Sequence, residues 1–295
     1  MDLFQRADVG KVEALPPSRP RRLLLALDGS TQEFASASLA QQLQQRLNCE
    51  VGYLSADIPL DQTVDASVAG ILTRMGGTHL TVPAGANYDQ ILAAQAQFQA
   101  DLMVVPCPFG RDFHSLGEDS TGTVIDVLSA RSTVPVIAIR RPDATGRDPS
   151  SHVRIVLTGE NAAAETAARW AVGMVHPEGK LELLLLVEQS FYDNFRHALH
   201  AIQPEAQVTY QDIENALART YGRLHAALQR TAGAMGFEYE LLVRHEGDEQ
   251  PITPEDPQTH PALMVLAVQR KSHDSQSEVH DFIRRSPHPV MVVPG

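Results

Sequence analysis

The feature that most constrains this chain is that one strand-and-helix pattern runs through it twice. An apolar run at 23–27 ends in Asp28-Gly29-Ser30-Thr31 and is followed by Ala35, Leu39, Leu43 and Leu47 at helical spacing, which predicts a strand feeding a helix. Strands are then predicted at 51–56, 79–82, 102–105 and 134–139, with helices at 63–75, 88–98 and 123–130 between them. Residues 153–158 restate the first strand and 162–174 the first helix. Further strands follow at 181–187, 237–243 and 263–268, with a long helix at 212–234. Each half closes on the same motif, Pro135-Val136-Ile137-Ala138-Ile139 and Pro289-Val290-Met291-Val292-Val293. Duplication of a whole domain accounts for the pattern.

Alternation of strands and helices at this spacing requires right-handed crossovers, hence parallel pairing with helices on both sheet faces. The expected fold is therefore α/β: two doubly wound, five-stranded parallel sheets in tandem. The 295 residues suffice for two cores, since one compact core takes roughly 100–200 residues. The expected division is a flexible N-terminal arm at 1–20, a first domain at 21–142, a linker within 141–151 rich in proline and small polar residues, and a second domain at 151–295.

Composition removes several function classes. A net charge of -12 opposes unaided binding to a phosphate backbone, so no nucleic-acid partner is expected. The apolar runs at 183–187 and 263–268 fall far short of the roughly 20 residues that cross a bilayer, and residues 1–22 lack a signal peptide's apolar core. No membrane partner is expected, and with only Cys49 and Cys107 a reducing, cytoplasmic location is. His260, His273, His280 and His288 crowd the last 40 residues without the spacing of a recognisable metal site, so no metal is expected.

The halves differ. Pro251, Pro254, Pro257 and Pro261 fall where the first half has its helix at 88–98, and each proline inside a helix costs about 3 kcal/mol. That helix is expected to be missing or much shortened in the second half. The stretch 188–236 is more than twice as long as its counterpart at 57–77, with room for an added helix near 192–202.

An open parallel sheet binds ligands beyond the carboxyl ends of its strands, where strand order reverses. In the first half those positions are Asp28-Gly29-Ser30, Ala56, and the loop 106–122 with Gly110, Gly117 and Gly122-Thr123. Gly122-Thr123 opens a predicted helix, where amides and a hydroxyl suit a phosphate. In the second half Thr158 and Glu160 replace the aspartate and serine, Gln276-Ser277 stands at the Gly-Thr position, and residues 269–276 contain no glycine. That half is read as degenerate, structural or facing a partner.

On these residues the chain resembles the universal stress protein family, twice over, from about residue 22 to residue 293. The likeness rests on Leu27-Asp28-Gly29-Ser30, the strand 100–105, the glycine loop and the Val134-Pro135-Val136-Ile137 ending. It implies an adenine-nucleotide α-hydrolase-like, Rossmann-like fold, and a cytoplasmic stress-response protein sensing ATP, ADP or AMP, with Mg2+ beside a triphosphate. Asp28, Gly29, Ser30 and Ala56 would then face the adenosine, and Gly110, Gly122 and Thr123 the phosphates. The family's Gly-x2-Gly-x9-Gly departs here: Cys107 holds the first glycine position between Pro106 and Pro108, and the second interval is two residues longer. Asp112, Glu118 and Asp119 add repulsion. The resemblance further implies that the Pro135 and Pro289 strands pair across a pseudo-twofold axis, forming an intrachain pseudo-dimer, with pairing into a homodimer left open.

The plain readings stand beside these. Asp28 before a glycine also suits a turn or helix cap, the loop glycines also suit backbone angles alone, and Cys107 reads better as a small buried thiol than as a redox centre. No Walker lysine, nucleophile elbow or zinc-protease helix occurs, so no catalytic residue is assigned. Three readings follow: a nucleotide-responsive regulator, an interaction module that needs no nucleotide and meets a protein partner, and, weakest, a slow ATPase using Asp112 or Glu118.

Overall fold

A computed structural model of the chain describes residues 12–55, 65–113, 120–142, 148–158, 162–187, 209–245, 252–253, 259–269 and 273–295, with 193, 197 and 201 as isolated residues. In the first half the elements are β1 (Arg22–Leu27), α1 (Glu33–Leu47), β2 (Glu50–Ser55), α2 (Ala66–Met75), β3 (Thr78–His79), α3 (Asn87–Phe98), β4 (Leu102–Pro106), α4 (Thr123–Arg131) and β5 (Val136–Ile139). The second half has β6 (His152–Thr158), α5 (Ala164–Met174), β7 (Lys180–Val187), α6 (Tyr210–Thr220), α7 (Gly222–Met235), β8 (Glu238–His245), β9 (Leu263–Val268), α8 (His273–Arg285) and β10 (Val290–Pro294). No helix among the described residues is long and apolar enough to cross a membrane.

The two five-stranded sheets expected in tandem are continuous with each other through the Pro135 and Pro289 strands, which the resemblance implied would pair. The strands form one ten-stranded sheet in the order β3-β2-β1-β4-β5-β10-β9-β6-β7-β8. Each half keeps five mutually parallel strands in mirrored order. The halves meet at β5 and β10, which pair antiparallel through Val136↔Val292, Ile137↔Met291 and Ala138↔Val290. The proline before each of these strands accepts equivalently, Pro135 O from the Met103 amide and Pro289 O from the Met264 amide, both at 3.0 Å. Joining the strands removes two edges that would otherwise present unpaired backbone.

Because the sheet is continuous, the core divides by face rather than by half. Leu23, Leu25 and Leu27 of β1 share one face with Val153, Ile155 and Leu157 of β6 and with Met291 and Val293 of β10, under α1, α2, α5 and α7. Leu24, Ala26, Met103, Val105, Val156, Leu184 and Met264 line the other face, under α3, α4 and α8. Across the seam, His280 of α8 lies 3.6 Å from Asp126 of α4.

Three further expectations change. The helix expected at 212–234 is two helices broken at Tyr221, where Gly222 lowers helix propensity. The described part of the arm, 12–20, is packed rather than flexible: Leu15 is buried, and its amide donates to Thr231 Oγ1 of α7 at 2.8 Å. Helix α8 was not expected, because its apolar residues are only Val279, Phe282 and Ile283 among charges. The insertion near 192–202 falls mostly outside the described residues.

Among the described residues, none between His245 and Leu263 is helical. The register shows what stands in the second half at the positions that face α3 in the first. Arg22↔Glu50 matches His152↔Lys180, so Leu24 corresponds to Arg154 and Gly52 to Glu182. In the first half a Cβ on Gly52 would meet the Phe98 ring of α3 at 3.0 Å, so glycine there makes room for the helix. In the second half Arg154 Nε donates to Glu182 Oε2 at 2.6 Å, and its guanidinium also donates to the carbonyl of Ile252. Lys180 and His152 each reach Glu182 at 2.8 Å. Burial would raise the Glu182 carboxyl, but hydrogen bonds from His152 and Lys180 and the charge of Arg154 outweigh it and hold the group well below its ordinary range. Glu182→Leu alone should destabilise the protein by roughly 3–5 kcal/mol in urea denaturation, because it strands the buried Arg154. Arg154→Met added to it should recover most of the loss; an equal or deeper loss in the double variant would show that the pair is not what sets the cost.

Candidate functional site

The crevice to examine lies beyond the carboxyl ends of β1 and β4, the central strands of the first half. There the structure brings together most of the residues singled out by sequence. Asp28 Oδ1 accepts from the Ser30 amide at 3.0 Å and from Ser30 Oγ at 2.7 Å, and Oδ2 accepts from the Gly110 amide at 2.6 Å. Gly29, Gly110 and Gly122 all adopt positive φ, between 73 and 79°, a region that glycine enters without strain. Gly122 precedes the first residue of α4, Thr123, and a Cβ on it would lie 3.4 Å from Pro108. Thr123 is exposed. Ala56 lies outside the described residues, as do Gly117, Glu118, Asp119 and Glu160.

What the sequence reading missed is where these amides point. Glu33, on the first turn of α1, is 3% exposed, and its Oε2 accepts from the amides of Asp28 at 2.8 Å and Gly29 at 2.6 Å. The Gly122 amide donates to Ser120 Oγ at 3.1 Å. The two loops are also tied to each other. Gln32, wholly buried, donates to the carbonyls of Cys107, Pro108 and Arg111 and accepts from the Phe113 amide, while the Thr31 amide donates to Asp112 at 2.9 Å. The amides of Asp28, Gly29, Gly110 and Gly122 thus all donate to the chain's own oxygens. A glutamate five residues after the strand-end aspartate was the available signal, since Glu at a helix start can reach back to preceding amides.

The electrostatics follow from burial. Desolvation raises the Asp28 carboxyl, against the hydrogen bonds from Ser30 and Gly110 that lower it. Desolvation raises Glu33 likewise, against the amides of Gly29 and Asp28, and the neighbouring charge of Asp28 adds to the rise. Cys107 is fully buried, and burial pushes its thiol up to about 12, which leaves it protonated and unreactive. Its sulfur lies 3.4 Å from the Thr121 carbonyl. Among the described residues no group of three or more His, Cys, Asp or Glu gathers as a metal site.

The corresponding crevice of the second half is built differently. Thr158 Oγ1, at the Asp28 position, donates to Glu278 of α8 at 2.8 Å. Helix α8 starts at His273, so Gln276 sits inside a helix where Gly122 precedes one. A cavity of about 350 Å³ opens there, lined by Val156, Thr158, Leu186, Ile252, Leu266 and Phe282.

The class this geometry defines is a Rossmann-like α/β fold with a closed, carboxylate-lined crevice in its first half. No protein-family model matches the chain, and no curated protein matches it in sequence. Its structure is similar to that of a universal stress protein from Archaeoglobus fulgidus, with a TM-score of 0.59 and 17% identity over 92% of this chain and 96% of that one. It is also similar to a putative universal stress protein from Pseudomonas aeruginosa, at 0.55 and 12% over 93% of each chain. A functionally unknown protein from Pseudomonas aeruginosa matches at 0.54 and 13%, over 93% of this chain and 92% of that one. The chain thus shares its fold with universal stress proteins, and the likeness runs through both halves.

Both raised carboxyls are more basic in the folded than in the unfolded protein, so the stability tied to them is greatest at low pH and is lost as pH rises through their folded values. Glu33→Gln keeps the acceptor and removes the charge. The stability of wild type relative to this variant should therefore grow as pH falls from 7 towards the ordinary carboxyl value of 4.5. Paired urea titrations across that range check it, and a difference that is flat or shrinks would contradict the raised state of Glu33.

Proposed function

We propose that this chain is a tandem universal-stress-protein-like regulatory protein of the cytoplasm, acting in a stress response by presenting surfaces to a protein partner rather than by chemistry on a substrate. The fold it shares with stress proteins over its whole length supports the class. One observation carries the choice of mode: the Gly110 and Gly122 amides, two of those a phosphate would meet in the first half, already donate to Asp28 and Ser120, and the Asp28 and Gly29 amides beside them donate to Glu33. An incoming anion would have to displace buried carboxylates from hydrogen bonds of 2.6 to 2.8 Å, and would meet Asp112 as well. The second half offers a threonine–glutamate pair and no glycine loop.

A second reading, an adenine-nucleotide sensor, is favoured by the exposed Thr123 at the start of α4 and by the positive φ of Gly122. On that reading Asp28, Gly29, Ser30 and Ala56 take the adenosine. Gly110, Gly122 and Thr123 take the phosphates, with Mg2+ offsetting the acidic loop. A slow ATPase is the least supported of the three: Asp112 accepts from the Thr31 amide, and Glu118 lies outside the described residues.

Titration of the full chain with ATP, ADP and AMP, with and without magnesium, separates the two readings by melting. No change at millimolar nucleotide is expected. A ligand at 100 times its dissociation constant adds about 2.7 kcal/mol. A gain of that order, removed by Gly122→Glu, would replace the first reading with the second.

A further inference from the structure

We infer that the groove between α5 and α7 on the second half is a recognition site for an extended, proline-containing peptide, and that residues 12–19 of the chain itself keep it occupied. The arm carries no helix or strand, yet its burial has a period of three: Val12 and Ser18 are half-buried, Leu15 is buried, and Glu13, Ala14, Pro16, Pro17 and Arg19 are exposed. A period of three is that of a polyproline II segment, whose φ Pro16 and Pro17 preset. Its backbone amides are therefore free to bind a partner surface rather than each other.

Two of those amides are read by the groove. The Leu15 amide donates to Thr231 Oγ1 of α7 at 2.8 Å, and the Thr231 hydroxyl in turn donates to the Ala227 carbonyl at 2.8 Å. Thr231 is 1% exposed, so this acceptor is built into the groove floor. The Ser18 amide donates to the Arg169 carbonyl of α5 at 2.9 Å. Opposite it stands Gly173, on which a Cβ would fall 1.7 Å from the Ser18 carbonyl oxygen. Glycine inside a helix weakens it, and here that residue is what admits the arm's backbone to the helix surface.

The arm underfills its seat. Beside Val12, Leu15 and Pro16 a cavity of about 710 Å³ continues along α5 and α7, lined by Tyr221 and Leu224 and by the charged Glu165, Arg169 and Arg223. The site thus takes an apolar side chain at one position and a small one three residues later, with prolines between, and leaves room beside them for a further side chain among Glu165, Arg169 and Arg223. A segment of a partner protein with that pattern is the ligand class. The arm competes as a tethered ligand, at an effective concentration that a free peptide must exceed. This deepens the interaction reading and rests on it. Its readout involves no nucleotide, so its failure is separate from that of the nucleotide titration.

The test uses the full chain and a fluorescein-labelled peptide of residues 10–21. Leu15→Asp, which makes the anchor polar, should release the arm, seen as faster amide exchange at Ser18. The released chain should then bind the peptide saturably, at least about tenfold more tightly than wild type. Gly173→Ala added to Leu15→Asp should abolish that binding, although alanine favours the helix itself. Ser18→Pro, which removes only the amide given to Arg169, is the second releasing variant should Leu15→Asp not fold. Equal binding to wild type and released chain, absence of binding to a released chain, or binding indifferent to Gly173→Ala would each overturn the inference.

Discussion

The antiparallel pairing of β5 with β10 is the constraint on which the rest depends. Three residues on each side, Val136, Ile137 and Ala138 against Val292, Met291 and Val290, convert two parallel sheets into one. Once that seam exists, neither half has a core of its own. The side chains pointing to one face of β1, β4, β5, β10, β9 and β6 form one continuous apolar layer, and those pointing to the other face form a second. A parallel sheet must be covered on both faces, so helices from both halves serve both layers.

The two halves solve one packing problem in two ways. Where α3 covers the first half, Gly52, the register partner of Leu24, leaves space for Phe98. Where no helix is described in the second half, the same two register positions carry Arg154 and Glu182, and the charged pair occupies the space of an aromatic ring. Such a pair stabilises less than it specifies, since desolvation offsets most of the Coulomb gain. What it does here is fix a wall: the Arg154 guanidinium donates to the carbonyl of Ile252, and Ile252 lines the 350 Å³ cavity.

Most of the strand and helix order was legible because buried parallel strands are short, wholly apolar runs; Leu23, Leu24, Leu25, Ala26 and Leu27 are all fully buried. The pairing of the two proline-led strands was legible from their likeness. That pairing is what fuses the two sheets into one. Helix α8 escaped because Val279, Phe282 and Ile283 are its only apolar residues, and the arm escaped because proline-rich termini look alike whether seated or free. At the site, Asp28, Gly110 and Gly122 were found, but Glu33 and Ser120, which accept from the Asp28 and Gly122 amides, and Gln32, which ties the two loops together, were not. Sequence marks where backbone amides gather and is silent on which internal oxygen answers them.

That silence bears on how a crevice of this kind changes its role. A loop whose amides converge must satisfy them from within or from without, because an unpaired buried amide costs about 1–3 kcal/mol. In the first half Glu33 and Asp28 supply the oxygens from within, at the cost of two desolvated carboxylates whose proton affinity is raised. A phosphate supplied from without would satisfy the same amides, and would be repelled by both carboxylates unless they were protonated or faced a cation. The glycines therefore persist under either role, since the positive φ they adopt at 29, 110 and 122 shapes the loop whichever oxygen fills it. The discriminating residue is Glu33: a side chain without an acceptor there would leave the amides of Asp28 and Gly29 open to an anion, and the carboxylate closes them.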